Sequence, residues 1–317
     1  MPPGATGPGP WRGRLSEAAR NVRRVRSSRQ LARGKGFTLD LVTCVDDHRG
    51  WSRPEVGRAH RMVLVHRGAF RRMADGRPAA VDPTMAYLGA PGEEERFAHP
   101  AGGDVCTSLS LSPALWRTLA GDGTRLARPT VYVDARFELA HRRLLAAARA
   151  GDPDFALVES LLSLTSATLT QLAGPATPAA APTPAPGPAG SPARSPARSP
   201  VRALVRSPAA IAEAAREAIS ADHPAAAGLL PLAELLAVSP YRLSRAFTRE
   251  LGVSLTHYRN RVRVSRALDR LESGETGLAA LAADLGFADQ AHLTRTVRRH
   301  VGHTPAALRR LLASPVP

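Results

Sequence analysis

Two groups of residues in this 317-residue chain have types and spacings suited to chemistry. The first pairs Cys44-x3-His48 with His99-x6-Cys106. Two thiolates and two imidazoles make a tetrahedral zinc set if the intervening strands bring them to one mouth. The spacing matches no standard zinc pattern, and the alternative is cysteines buried as small hydrophobes with histidines at loop ends. Cys44, His48, His99 and Cys106 are therefore candidates for a metal or redox role. The second group is polar and basic and occurs twice. Tyr241, Arg242, Ser244, Arg245, Thr248 and Arg249 form one set; Gln290, Ala291, His292, Thr294, Arg295 and Arg298 form the other. Arginine forks onto guanine O6 and N7, and glutamine pairs with adenine, so on an exposed helix these residues would read a DNA major groove.

The second group sits on a repeat. Leu232 to Gly252 reads LAELLAVSPYRLSRAFTRELG, and Leu278 to Gly302 reads LAALAADLGFADQAHLTRTVRRHVG. Ser239 matches Asp289, a period of 50 residues, and both are good helix caps. Pro240 at the first helical position sets the entry angle of the helix. Leu243 and Phe247, four apart, point into a core, as do Leu293 and Val297, leaving the polar set outward. Each unit thus reads as a helix-turn-helix. Between them, Tyr258, Val262, Leu268 and Leu271 mark one connecting helix from Ser254 to Glu272. Its length is about 28 Å at 1.5 Å per residue, close to the roughly 34 Å between successive major grooves on one face of B-DNA.

This region, with YRNRVRVSRALDRL in the connecting helix and the GHTP turn at Gly302 to Pro305, resembles the AraC-type (AraC/XylS) transcriptional regulators over about the last hundred residues. The resemblance implies double-stranded DNA as the partner. It also implies that Tyr241, Ser244, Arg245, Gln290, Ala291 and Arg295 approach bases. The chain departs from the pattern at Leu293, Val297 and Leu308, where aromatics are usual. That predicts a thinner core in the second unit and an affinity dominated by the first.

Composition agrees with a nucleic-acid partner. Net charge is +16, and Lys35 is the only lysine, although a GC-rich genome also favours arginine codons. Two cysteines imply no disulfide framework and a reducing cytoplasm. No apolar run approaches the roughly 18 residues of a membrane span, so no membrane association is expected.

The rest of the chain divides by composition. Residues 1–36 read as a disordered basic tail, whose place in the native protein is open because an upstream start codon would also produce it. Short apolar runs at Phe37–Val45, Met62–Phe70, Val81–Leu88, Glu95–Ala98 and Val105–Leu111, with an Asp75-Gly76 turn, predict strands. Ser112-Pro113 opens a short helix, and two longer helices follow from about Arg136 and Asp154. Residues 37–173 resemble a cupin-like sensor and dimerisation domain, a β-barrel with a helix pair. Residues 174–208 are a Pro/Ala/Ser-rich linker, and 209–317 are the double helix-turn-helix domain. The expected fold class is thus α+β in two domains.

The expected function is sequence-specific transcription regulation in the cytoplasm, controlled by a small-molecule effector and exerted by a homodimer with access to RNA polymerase. A cupin-type enzyme or an architectural DNA binder carrying the same reader is the alternative. A metal-dependent cupin enzyme needs a tight His-x-His, whereas His60 and His66 are six apart, so no catalytic residue is expected. Apart from zinc, no cofactor is expected. Trp51, Phe70, Tyr87 and Phe97 either line an effector pocket or form ordinary core.

Overall fold

The computed structural model describes residues 26–45, 48–121, 130–150, 155–173 and 207–313. The chain forms two compact units, Met1–Val131 with Pro153–Phe155, and Tyr132–Asp152 with Ala156–Pro317.

The first unit is built from β1 (Arg26–Gly34), β2 (Phe37–Cys44), β3 (Glu55–Val56), β4 (His60–Arg67), β5 (Phe70–Ala74), β6 (Arg77–Val81), β7 (Met85–Gly89), β8 (Glu94–Ala98) and β9 (Asp104–Leu111). Helix α1 (Pro113–Ala120) follows, then β10 (Thr130–Tyr132). The strands make two sheets, ordered β1-β2-β9-β4-β7-β10 and β3-β8-β5-β6. Val42, Val63, Val65, Tyr87 and Cys106 of the larger sheet pack against Phe70, Val81 and Phe97 of the smaller. Phe70 meets Tyr87 edge-on at 6.1 Å. The strand-rich first domain expected from the sequence is therefore present as two packed sheets, not as a continuous closed barrel.

Three expectations change here. Arg26–Gly34, assigned to the basic tail, is strand β1 and pairs along β2 from Arg26↔Cys44 to Gly34↔Phe37. Its polar side chains hid it, because at a sheet edge one face needs no apolar partner. Residues 1–25 lie outside the described residues. The single strand expected over Met62–Phe70 is two, broken at Gly68 (φ 79°), where the chain leaves one sheet for the other. A Cβ at Gly68 would lie 2.3 Å from the Gly103 carbonyl oxygen. Val81–Leu88 is likewise broken, by an Asx turn in which the Thr84 N–H donates to Asp82 Oδ1 at 2.8 Å. The Asp75-Gly76 turn has φ 45° and 78°, both positive as a type I′ hairpin requires.

The second unit is helical: α2 (Ala135–Ala150), α3 (Ala156–Ala173), α4 (Pro208–Ser220), a 3-10 turn (Pro224–Ala227), α5 (Leu229–Leu235), α6 (Pro240–Leu251), α7 (Leu255–Glu272), α8 (Leu278–Asp284), α9 (Gln290–Val301) and α10 (Pro305–Ala313). The linker at 174–206 lies outside the described residues. Its last two residues belong to α4, because Ser207 caps that helix and Pro208 opens it. Helices α2 and α3, assigned from sequence to the sensor domain, fall in the compact unit that holds α4 to α10.

A buried charge network explains the placement of α2. Glu138 on α2 accepts from Arg142 Nη2 at 2.6 Å and from Ser265 Oγ at 2.9 Å, and its Oε2 lies 2.8 Å from Arg261 Nη1. Arg142 also donates to Asp269 at 2.6 Å and pairs with Glu272. Arg261, fully buried on α7, donates Nε–H to the Val133 carbonyl at 2.9 Å. Burial alone would raise the Glu138 carboxyl, but Arg261 and Arg142 more than offset it and hold its pKa below 4.5. Charges this deep are tolerated because each is paired.

Candidate nucleic-acid interface

Helices α6 and α9 are both set by caps and cores. In α6, Ser239 Oγ accepts from the Arg242 N–H at 3.2 Å, Pro240 follows, and Gly252 (φ 74°) closes the helix in the left-handed conformation. In α9, Asp289 Oδ1 accepts from the His292 N–H at 2.6 Å, and Gly302 (φ 87°) ends it. Leu243, Phe247, Leu293 and Val297 are fully buried, as their spacing requires. Complete burial of such a side chain is worth about 1.5–3 kcal/mol.

The first core joins Leu243, Ala246 and Phe247 to Ile211 and Ala215 of α4 and to Tyr258 and Val262 of α7. Phe247 and Tyr258 meet edge-on at 5.2 Å. The second core joins Leu293, Val297, Val301 and Leu308 to Phe287 and to Val264, Leu268 and Leu271 of α7. Ala135 and Leu139 of α2 complete it. The expected thin second core is therefore filled by Phe287 in the turn of the repeat and, from outside the repeat, by a helix over a hundred residues upstream.

These cores leave the two polar sets outward. Tyr241, Arg242, Arg245, Thr248 and Arg249 are exposed, with Ser244 half-buried. Gln290, Ala291, Arg295 and Arg298 are exposed, with His292 and Thr294 half-buried. Arg245 is pre-arranged: its Nη1 donates to Tyr241 Oη at 2.7 Å, and its guanidinium lies 5.4 Å from that ring. His292 also has a local role. Its Nδ1 accepts from the Ala288 N–H at 3.3 Å while its ring meets Phe287 edge-on at 5.4 Å, so it completes a reciprocal cap. Helices α6 and α9 both pack on α7, an 18-residue helix capped by Ser254. At 1.5 Å per residue it is about 27 Å long.

Residues 232–311 match a family described as a helix-turn-helix domain. The chain is 31% identical over 78 residues to the arabinose operon regulatory protein of Salmonella typhimurium, covering 25% of this chain and 28% of that protein. It is also 31% identical over 78 residues to the protein of the same name from Escherichia coli, covering 25% and 27%. The C-terminal module is an AraC-type helix-turn-helix domain. The chain spans little more than a quarter of the length of these two relatives. The C-terminal domain of AraT, a response regulator from Geobacillus stearothermophilus, is 31% identical, with 32% of this chain and 84% of that one covered and a TM-score of 0.30. The AraC-type module thus has two helix-turn-helix units on one connecting helix, each offering a polar, arginine-bearing face. Among the described residues, no helix is long and apolar enough to cross a membrane.

The first unit contains a cavity of about 320 Å³ lined in part by Val42, Phe70, Tyr87 and Phe97. Phe70, Tyr87 and Phe97 thus serve both as core and as cavity wall, whereas Trp51 is exposed. The four expected metal candidates do converge at this cavity. Ligand atoms within 4.8 Å of one another, however, belong to Cys44, His99 and Asp104. His48 stands beside them with its ring 5.0 Å from that of His99 and its Nε2 3.3 Å from the Phe97 carbonyl oxygen. Cys106 is buried, and burial followed by the Asp104 carboxylate raises its thiol pKa well above the ordinary 9, so it sits as a neutral group. Sequence reasoning missed Asp104. The signal was there in outline, since Asp104 is the cross-strand partner of Cys44 in the β2–β9 register.

Proposed function

We propose that this chain is a sequence-specific, DNA-binding transcription regulator whose N-terminal unit binds a small-molecule effector. The observation that carries the reading is the paired presentation of α6 and α9, each with its apolar stripe buried and its arginine-bearing face exposed, on one rigid helix. Helices of this kind enter the major groove, and two on one connector read successive grooves. The net charge of +16 supports phosphate contact and rapid encounter. The reading places the protein in the cytoplasm, as a homodimer on double-stranded DNA within reach of RNA polymerase. The cavity beside Phe70, Tyr87 and Phe97 is of a size for a small ligand. The reading involves no covalent chemistry, in keeping with the absence of a His-x-His motif from the sequence.

The test is selection of bound fragments from random double-stranded DNA with the full chain, followed by sequencing. A bipartite motif with half-sites about one helical turn apart is the expected outcome. Enrichment without any sequence preference would instead indicate an architectural binder.

A further inference from the structure

Two buried carboxylates in the first unit, Glu95 and Asp104, are treated in different ways. Glu95 is neutralised by Arg72, whose Nε donates to it at 2.7 Å, and by Arg61, with which it also pairs. Asp104 is as deeply buried, at 3% exposure, yet its ion-pair partner is a histidine: His99 Nε2 lies 2.8 Å from Asp104 Oδ1. Beyond that ion pair and the neighbouring Cys106 thiol, neither Asp104 oxygen meets a hydrogen-bond donor of good geometry, and His99 Nδ1 meets none. Buried polar atoms without partners are rare, and an ion is one of the few things that satisfies them.

The surroundings complete a donor set. Gly103 presses the loop before β9 against the end of β2, so closely that a Cβ there would lie 2.2 Å from the Cys44 carbonyl oxygen. The His99 N–H donates to the His48 carbonyl at 2.9 Å, which ties the loop after β2 to the same place. Cys44 Sγ, a His99 ring nitrogen and an Asp104 oxygen end within 4.8 Å of one another at the wall of the 320 Å³ cavity. The nearby cations do not compete for this carboxylate, because Arg26 is paired with Glu55 and Arg61 with Glu95.

We propose that Cys44, His99 and Asp104 bind one divalent cation of the zinc class, with the fourth coordination position facing the cavity. The donor chemistry selects the ion. One sulfur, one nitrogen and one carboxylate suit a borderline-soft tetrahedral ion. Calcium and magnesium want a shell of oxygens, and copper(I) wants sulfur alone. Binding releases the Cys44 thiol proton and sets a thiolate and a carboxylate against a charge of +2. The order of the ligands along the chain, one from a strand end and two flanking a glycine-rich loop, explains why no familiar spacing announces the site.

The experiment uses the full chain, stripped with a chelator and titrated with Co²⁺ alone, then with Zn²⁺ in competition. One equivalent of Co²⁺ with a thiolate charge-transfer band, displaced by Zn²⁺, is expected. Cys44→Ser should abolish the band, and Cys106→Ser should leave it intact. Asp104→Asn preserves volume; since loss of even an outer-shell partner costs about 10–100-fold in metal affinity, this variant should weaken Zn²⁺ by at least about tenfold. Absence of stoichiometric uptake by the folded wild-type chain overturns the proposal, as does uptake that survives both Cys44→Ser and Asp104→Asn. Loss of the band in Cys106→Ser overturns the three-residue assignment. Because the wild-type titration decides first, misfolding of a variant cannot rescue the idea. None of these readouts involves DNA, so their failure would leave the regulator reading untouched.

Discussion

Arg245 and Arg249 lie one helical turn apart on α6, both exposed, yet their surroundings assign them different work. Arg245 is held against Tyr241 by a 2.7 Å hydrogen bond and by its ring, which limits its rotamers and aims its fork. Arg249, in the last turn, lies 3.9 Å from its half-buried neighbour Glu250 and, on the proposed function, suits a phosphate. Arg245→Ala, and Arg295→Ala on α9, should each lower affinity for the preferred site about tenfold or more while leaving binding to random DNA nearly unchanged. Arg249→Ala should weaken both alike and reduce the salt dependence by about one phosphate contact. Competition binding with specific and random duplexes at several salt concentrations measures both effects, and an equal loss for all three variants would contradict the assignment. At this scale the outward positions of α6 and α9 were legible from cap and spacing, because one helix's periodicity decides which side chains face out. The place of Asp104 beside Cys44 was not, because it comes from a cross-strand pairing with a residue sixty positions earlier in the chain.

Between elements, α2 and α7 are joined by side chains that no local pattern reveals. Glu138, Arg142 and Arg261 carry charge on helices, yet the structure buries all three in one network. The contact of α7 with α9 carries a second titratable feature, the His257–His300 ring pair at 4.5 Å. Burial first, then the charges of His257, Arg261 and Arg299, lower the His300 pKa from 6.5 to about 4, with Asp134 opposing. In the unfolded chain this imidazole takes up a proton below pH 6.5, whereas the folded chain resists until about pH 4. The unfolded state therefore binds more protons in that window, and stability falls as the pH falls through it. His300→Gln should flatten this slope, as read from urea midpoints measured against pH; a slope equal to the wild type's would sink the argument. The Glu138 carboxyl acts lower. Its contribution is fully present above 4.5 and is lost as the pH drops through its depressed folded value.

For the regulator proposed above, the decisive dimension is the connector. Helix α7 is continuous over 18 residues and buries Tyr258, Val262, Leu268 and Leu271 against both cores, so it can neither stretch nor bend cheaply. A selected operator with about 5 base pairs inserted between its half-sites turns one half to the opposite face of the duplex. Affinity should fall to that of a single half-site. An insertion of about 10 base pairs should not restore it, since the face returns but the distance does not. Anisotropy titrations on the three duplexes give the answer, and full recovery at the longer insertion would mean that the two readers are flexibly joined.

The sequence by itself determined the helical module, its repeat, both caps and the outward polar sets, because these depend on periodicity and capping within a few turns of helix. It also determined the strand-rich character of the first unit and four residues that meet at its cavity. Tertiary structure alone decided the rest: that polar β1 is an edge strand, that α2 belongs with the helical unit and fills the second core, and that Asp104 takes the place expected of Cys106 beside Cys44 and His99. Each of these depends on a partner distant in the chain. Pairing register, burial of paired charge and the closing of a gap by a remote side chain are properties of the packed chain and leave no mark on local spacing.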